Sequence, residues 1–182
     1  VQFLHFNVEK DLEQIDENTA AVLLETIQGG AGFILPEEDY LKKVKKKCEK
    51  VGALLILDEI QPGFGRTGKM FGFEHFGISP DIVVMGKALG GGLPIGAFSA
   101  SKNLMRKLED QPKLGHITTF GGNPVIATAA LTTINEILSS KLTNQINKKE
   151  RIFRKNLKHP MIKNISGKGL MLAPIFEHAK IP

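Results

Sequence analysis

The sequence predicts an α/β fold with a sheet that is buried on both faces. Short apolar runs of the kind that form buried strands recur along the chain, at residues 20–25, 53–57, 82–85 and 95–100. Segments with helical spacing of apolar residues, or long loops, separate these runs, and that alternation is typical of α/β proteins. The chain shows no internal repeat, so we expect one such sheet rather than a repeated unit.

The first predicted helix follows the first strand after a glycine-rich loop. Pro36 and the acids at residues 37–39 are typical of a helix start, because anionic side chains favour the positive end of the helix dipole. Gly52 is placed to end the helix. The apolar stripe of this helix consists of Leu41, Val44, Cys48 and Val51. Because Cys48 lies on that stripe, we interpret it as a small core residue.

A second clear helix is predicted in the C-terminal half. Asn123 is a typical N-cap, Pro124 is a typical first helical residue, and apolar residues continue at helical spacing through residues 125–139. A glycine-flanked apolar segment follows at residues 167–175. We therefore expect a main domain over residues 1–130, and a connecting helix with the start of a second domain over residues 131–182.

The composition is that of an ordinary globular protein and excludes several classes of function. The 182 residues carry a formal net charge of +5 and are 42% hydrophobic. One cysteine cannot form an internal disulfide or a cysteine-based zinc site, and the five histidines lack metal-ligand spacing, so no metal site is predicted. The aliphatic runs are too short to cross a bilayer, so no membrane partner is expected.

The positive charge is concentrated towards the C-terminus. Residues 141–168 contain nine Lys or Arg and one acid, whereas the rest of the chain carries fifteen bases and eighteen acids. Such a basic stretch could bind a nucleic acid. However, no recognised binding module accompanies it, and no aromatic residues alternate with its bases as in nucleic-acid sites that stack bases. We interpret the stretch as a solvated helix face and predict no nucleic-acid partner.

Two nucleotide-binding patterns occur in the sequence, but their context supports neither kind of site. Residues 63–68 fit the GxGxxG pattern of dinucleotide sites, but residues 58–62 separate them from the strand and no helix opens at Gly68. Residues 54–59 resemble the magnesium-binding strand of nucleotide hydrolases. However, Met70 stands where the adjacent phosphate loop would require Ser or Thr, and that loop follows the acidic strand instead of preceding it.

The main functional signal is a group of polar residues at the predicted strand ends: Glu25, Asp58, Glu59, Gln61 and Lys87. Ligands of open α/β sheets bind at this carboxyl edge. A lysine among small residues at the end of a buried strand can be desolvated, which frees a neutral amine nucleophile. A carboxylate across the same edge can hold a protonated ring nitrogen, and a pyridoxal phosphate (PLP) enzyme requires both parts. A surface lysine and a helix-capping aspartate are the structural alternative.

Longer motifs resemble those of the class III PLP-dependent aminotransferases, and among these the acetylornithine and ornithine aminotransferases in particular. The resemblance spans nearly the whole chain. It rests on LDEIQ at residues 57–61, GFGRTGK at 63–69, FEH at 73–75, PDI at 80–82, KALGGGLPIGA at 87–97, TTFGGNP at 118–124 and GKGLM at 167–171. It implies PLP fold type I, with this chain forming the C-terminal half of the large mixed-sheet domain and the start of the small α+β domain.

The resemblance also implies roles for four residues. Lys87 resembles the lysine that forms a Schiff base with PLP and moves the proton at the substrate Cα. Asp58 resembles the partner of the pyridinium nitrogen, and Gln61 the residue that contacts the phenolic side of the ring. Thr119 resembles a threonine that reaches the cofactor phosphate of the neighbouring subunit, which implies a homodimer. The implied reaction is cytoplasmic transamination between an amino donor, ornithine- or acetylornithine-like or another amine, and a 2-oxo acid.

Departures from the family pattern leave alternatives open. Gly30 stands where ornithine-type members carry a glutamate that gates the substrate arginine, and Thr26 replaces the usual proline, so the amino donor is not fixed. The family's phosphate-binding loop, ring-stacking aromatic residue and substrate-binding arginine are not found here. We therefore expect part of a longer enzyme, which binds PLP poorly by itself. Another PLP reaction, such as that of an aminomutase or decarboxylase, and a truncated non-catalytic remnant are the alternatives.

Overall fold

The computed structural model describes residues 1–110 and 116–176. Its main sheet has four strands in the order β1-β2-β3-β4, which are Ala21–Glu25, Leu54–Asp58, Ile82–Gly86 and Gly96–Ala100. The first three strands are parallel, and β4 pairs antiparallel with β3. All four predicted strands are present, and the predicted α/β class is confirmed with a mixed sheet.

One face of this sheet is closed and the other is half-covered. Along β2, Leu55 and Leu57 are fully buried in a core shared with helix α1 (Tyr40–Val51). On the alternate face Ile56 keeps partial exposure, and its partner in β1, Leu23, is 66% exposed. The expectation of burial on both faces is therefore met on one face only among the described residues, because α1 covers just that face.

Helix α1 begins later than the sequence predicts and ends where predicted. The amide of Tyr40 donates to the carbonyl of Glu37 at 3.0 Å, so a turn takes up the acids at residues 37–39 before the helix starts. Gly52 ends the helix with a φ of 78°, a conformation that glycine adopts without steric cost. Cys48 is fully buried on the apolar stripe, which confirms its interpretation as a core residue.

In the described part of the chain, three further α-helices follow β4: α2 (Lys102–Asp110), α3 (Pro124–Ser139) and α4 (Ile146–Asn156). Asn123 caps α3 as predicted, since its side-chain oxygen accepts from the amides of Val125 at 3.0 Å and Ile126 at 3.3 Å. The apolar residues of α3 remain at least partly exposed, however. Within residues 1–110 and 116–176, no helix has the length and apolar character needed to cross a membrane.

A two-stranded antiparallel sheet ends the described chain. Its strands, β5 (Ile162–Lys168) and β6 (Met171–Phe176), form a hairpin. In the turn of this hairpin, the Leu170 amide donates a hydrogen bond to the Arg66 carbonyl at 2.9 Å. The guanidinium of Arg154 in α4 donates to the carbonyls of Ile165 and Gly167 in β5. One base of the positively charged stretch is thus structural, while Lys148, Lys149 and Lys155 are exposed, as expected of a solvated helix face.

Candidate active site

The carboxyl ends of β1, β2 and β3 meet at one edge of the main sheet. Glu25 ends β1 and lies beside Asp58, which ends β2. Asp58 is in turn the partner of Val84 in β3, and Lys87 follows β3 directly. The parallel register therefore brings Glu25, Asp58 and Lys87 to the same edge, as the sequence analysis predicts.

Lys87 opens a short 3-10 turn, Lys87–Gly90, with an unusual backbone conformation. Its φ of 43° lies in the left-handed region, which costs a non-glycine residue free energy and is concentrated at functional sites. The preceding Gly86 lies so close to the Ile95 carbonyl that an added Cβ would be 3.1 Å from its oxygen. The Lys87 side chain is exposed, so the expected desolvation is not found among the described residues and the amine is accessible instead.

Asp58 and Gln61 occupy a tight segment after β2. One carboxylate oxygen of the half-buried Asp58 accepts from the Ile60 amide at 2.9 Å. The Oε1 atom of Gln61 is buried and has no hydrogen-bond partner among the described residues. A buried polar atom without a partner is costly, so a hydrogen-bond donor from a bound group or a water would stabilise it.

Gly29 makes the approach of Gln61 to Glu25 possible. The amide of Gly29 donates to the Glu25 carboxylate at 2.8 Å. A Cβ added at Gly29 would lie 2.2 Å from Gln61 Oε1 and 3.1 Å from Glu25 Oε2. The sequence predicts this glycine only as part of a loop, because the packing of two distant side chains over it has no signal in the sequence.

Thr119 lies apart from these residues along the chain, in the turn that leads into α3. The amides of Gly121 and Asn123 donate to the carbonyls of Thr118 and Phe120 in this turn, at 3.2 Å each. Thr119 is exposed and, within the described part of the chain, shares no hydrogen bond with Asp58, Gln61 or Lys87. The structure therefore brings three of the four predicted site residues to one edge of the sheet and leaves Thr119 on the surface.

Glu59 is the residue to which sequence reasoning assigned no role of its own. It is fully buried, and its carboxylate accepts hydrogen bonds from the Thr26 hydroxyl, the Gly72 amide at 2.7 Å and the Phe73 amide at 3.0 Å. Burial raises the pKa of Glu59, and these three hydrogen bonds oppose the rise. The sequence alone could have predicted that Glu59 is buried and hydrogen-bonded. Strand alternation directs Asp58 and Glu59 to opposite faces of the sheet, and a charged side chain on the core face requires partners.

An α/β domain with a mixed sheet, and an acid and a lysine at its carboxyl edge, is compatible with the fold type I PLP enzymes that the sequence motifs resemble. Comparison with known families makes the assignment specific. The profile of the Aminotransferase class-III family matches residues 2–181, nearly the whole chain. The chain belongs to the class III aminotransferases, as the sequence motifs predict.

Individual relatives agree with this assignment. The LysW-aminoadipate semialdehyde/glutamate semialdehyde transaminase of Sulfurisphaera tokodaii is 43% identical over 178 residues, 94% of this chain and 45% of that protein. The acetylornithine aminotransferase structure from Elizabethkingia anophelis has a TM-score of 0.86 at 34% identity, covering 96% of this chain and 45% of that one.

A second solved structure bears on the cofactor. The ornithine aminotransferase from Toxoplasma gondii is described with partial occupancy of PLP at its active site. It has a TM-score of 0.84 at 34% identity, covering 93% of this chain and 41% of that one. The likeness to these structures confirms PLP fold type I. The chain spans about half the length of the relatives it matches.

Proposed function

We propose that the full-length protein containing this chain is a PLP-dependent aminotransferase. It would transfer an amino group from an amino donor to PLP and then from the cofactor to a 2-oxo acid. The observation that carries the proposal is the meeting of Asp58, Gln61 and Lys87 at one sheet edge in a class III aminotransferase chain. The relatives named above motivate an ornithine- or acetylornithine-like donor, or another amine, as the first substrates to screen.

The residues at this edge fit the cofactor. Lys87 offers an accessible amine for a Schiff base, and Gln61 keeps a buried amide oxygen that lacks a partner. One carboxylate oxygen of Asp58 accepts a hydrogen bond from the Ile60 amide. The carboxylate can also accept a hydrogen bond from a protonated ring nitrogen. When bound, PLP supplies a ring that withdraws electrons and stabilises negative charge at the substrate Cα.

Each of these side chains has a defined task in the proposed reaction. Asp58 would hold the proton on the ring nitrogen, because a carboxylate beside it favours the charged form of the ring. Gln61 would contact the phenolic side of the ring through its side-chain amide. Lys87 Nζ would take a proton from the substrate Cα and return it during the transfer. We expect residues outside this chain to hold the phosphate of the cofactor, as the family resemblance implies.

The test is PLP attachment in the full-length protein. We expect a visible absorbance band on PLP addition, and borohydride reduction should fix the cofactor on the peptide that contains Lys87. Lys87→Ala should abolish both signals. Lys102→Ala, which changes an exposed lysine at the start of α2, is the matched control and should retain both. Unchanged PLP attachment in Lys87→Ala would overturn the proposal.

We further propose a homodimer in which Thr119 serves the site of the neighbouring subunit. Ile117 and Phe120, which lie within two residues of Thr119, are 69% and 77% exposed, and such apolar exposure favours coverage by a second copy. A mixed dimer of Lys87→Ala and Thr119→Ala subunits restores one complete site, so it should recover about half the wild-type activity. Homodimers of either variant should be weakly active or inactive. A mixed dimer without recovery would contradict the shared site.

The division into domains and the location of the protein also remain proposals. We place the large domain over residues 1–130, and the connecting helix with the start of the small domain over residues 131–182. Limited proteolysis of the full-length protein, with cleavage mapped by mass spectrometry, would test that boundary. Cell fractionation would test the cytoplasmic location.

A further inference from the structure

Glu59 is a buried carboxylate that the proposed reaction does not use, yet it adjoins the residues that the reaction does use. Its side chain accepts from Thr26, which directly follows Glu25 at the end of β1, and from the amides of Gly72 and Phe73. Gly72 and Phe73 start the 3-10 turn Gly72–Phe76. One carboxylate thus joins the end of β1 to a turn that lies well beyond β2 in the sequence.

The backbone of Glu59 holds the segment that carries Gln61. The Glu59 amide donates to the Val84 carbonyl of β3 at 2.9 Å, which extends the pairing of β2 with β3 past Asp58. The Glu59 carbonyl accepts from the Gly63 amide at 3.0 Å and closes the turn in which Gln61 lies. Side chain and backbone together connect β1, β3 and this turn through one residue.

The chemistry of the site favours a carboxyl group over its amide. Each carboxylate oxygen of Glu59 accepts from a backbone amide, one from Gly72 and the other from Phe73. A glutamine would have to place its NH₂ group against one of these two donors, which leaves a buried donor without a partner. The close approach also depends on Gly72, where an added Cβ would lie 3.3 Å from both carboxylate oxygens.

We propose that Glu59 is a positioning residue, which fixes Asp58 and Gln61 relative to the end of β1 through the Thr26 hydroxyl and the Gly72–Phe76 turn. The inference rests on the proposed function, because it concerns how the cofactor-facing side chains are held. The Thr26 hydroxyl supplies a side-chain donor to Glu59, in addition to the backbone amides of Gly72 and Phe73.

The test compares PLP binding by variants of the full-length protein. We expect Glu59→Gln to raise the Kd for PLP by about tenfold or more and to shift the pH dependence of the bound-cofactor absorbance, because Asp58 moves relative to the ring. Thr26→Val should raise the Kd by about threefold, and Thr26→Ser, which restores the hydroxyl, should remain within about twofold of wild type. Glu74→Gln is the matched control, because Glu74 accepts from the Phe71 amide at 2.7 Å beside the same turn but is exposed.

Each outcome bears on the inference. Wild-type affinity and an unchanged pH profile in Glu59→Gln would overturn it, as would a loss of thermal stability without any change in that profile. If Glu59→Gln does not fold, the Thr26 pair decides, and equal PLP affinities of Thr26→Val and Thr26→Ser would overturn it. A wild-type protein that does not bind PLP would overturn the proposed function and this inference with it.

Discussion

The two sides of β2 differ in how completely the described chain covers them. Leu55 and Leu57 on the closed side, and Glu59 after them, are fully buried. The alternate residues Ile56 and Asp58 keep partial exposure. One strand therefore supplies fixed support on one side and the groups proposed to meet the cofactor on the other. Sites hold their geometry best when such support comes from regular elements, and here strand alternation provides it.

Core truncation on the closed side gives the largest expected effect. Leu57→Ala removes a fully buried side chain from the core shared with α1, so it should lower the free energy of unfolding of the full-length protein by about 2–5 kcal/mol. Ile56→Ala, on the half-covered side, should cost less. Urea unfolding of both variants measures the difference. An equal cost would show that elements outside the described residues close the second side as tightly as α1 closes the first.

Substitution of Gly29 should affect cofactor binding more than folding. In Gly29→Ala, the new Cβ would meet Gln61 Oε1 at 2.2 Å, and the end of this flexible side chain can shift at a modest cost in stability. The displaced amide should weaken PLP binding by about threefold to tenfold. Gly30→Ala is the neighbouring control, since an added Cβ there meets nothing within 4 Å. Equal PLP affinities of the two variants would show that the place of Gln61 is unimportant for binding.

The sequence predicts the scaffold of this region better than its support. Apolar runs predict all four strands, and because parallel strands end together they also predict that Asp58 and Lys87 share an edge. The start of α1 is predicted too early, because residues 37–39 form a turn before the helix instead of its first turn. The partners of Glu59 are beyond prediction, since Thr26 and Gly72 are far from it in sequence and only the folded chain brings them together.

The closed side should also show a pH dependence of stability that originates in Glu59. Burial raises the pKa of Glu59, so the folded state keeps its proton over a pH range in which the unfolded state has lost it. The free energy of unfolding therefore falls as pH rises between the ordinary and the raised pKa. Glu59→Gln cannot ionise and lacks this fall, so its stability deficit relative to wild type should shrink as pH rises above the ordinary pKa of a glutamate side chain.

Urea unfolding at a series of pH values would measure this deficit for Glu59→Gln and for the exposed control Glu74→Gln. Glu74→Gln removes an exposed carboxylate beside the same turn, so it separates the effect of the buried carboxylate from that of losing one acid. A constant deficit for Glu59→Gln would show that Glu59 is ionised to the same extent in both states. The hydrogen bonds from Thr26, Gly72 and Phe73 would then offset the whole cost of burying the carboxylate, and Glu59 would be charged in the folded protein.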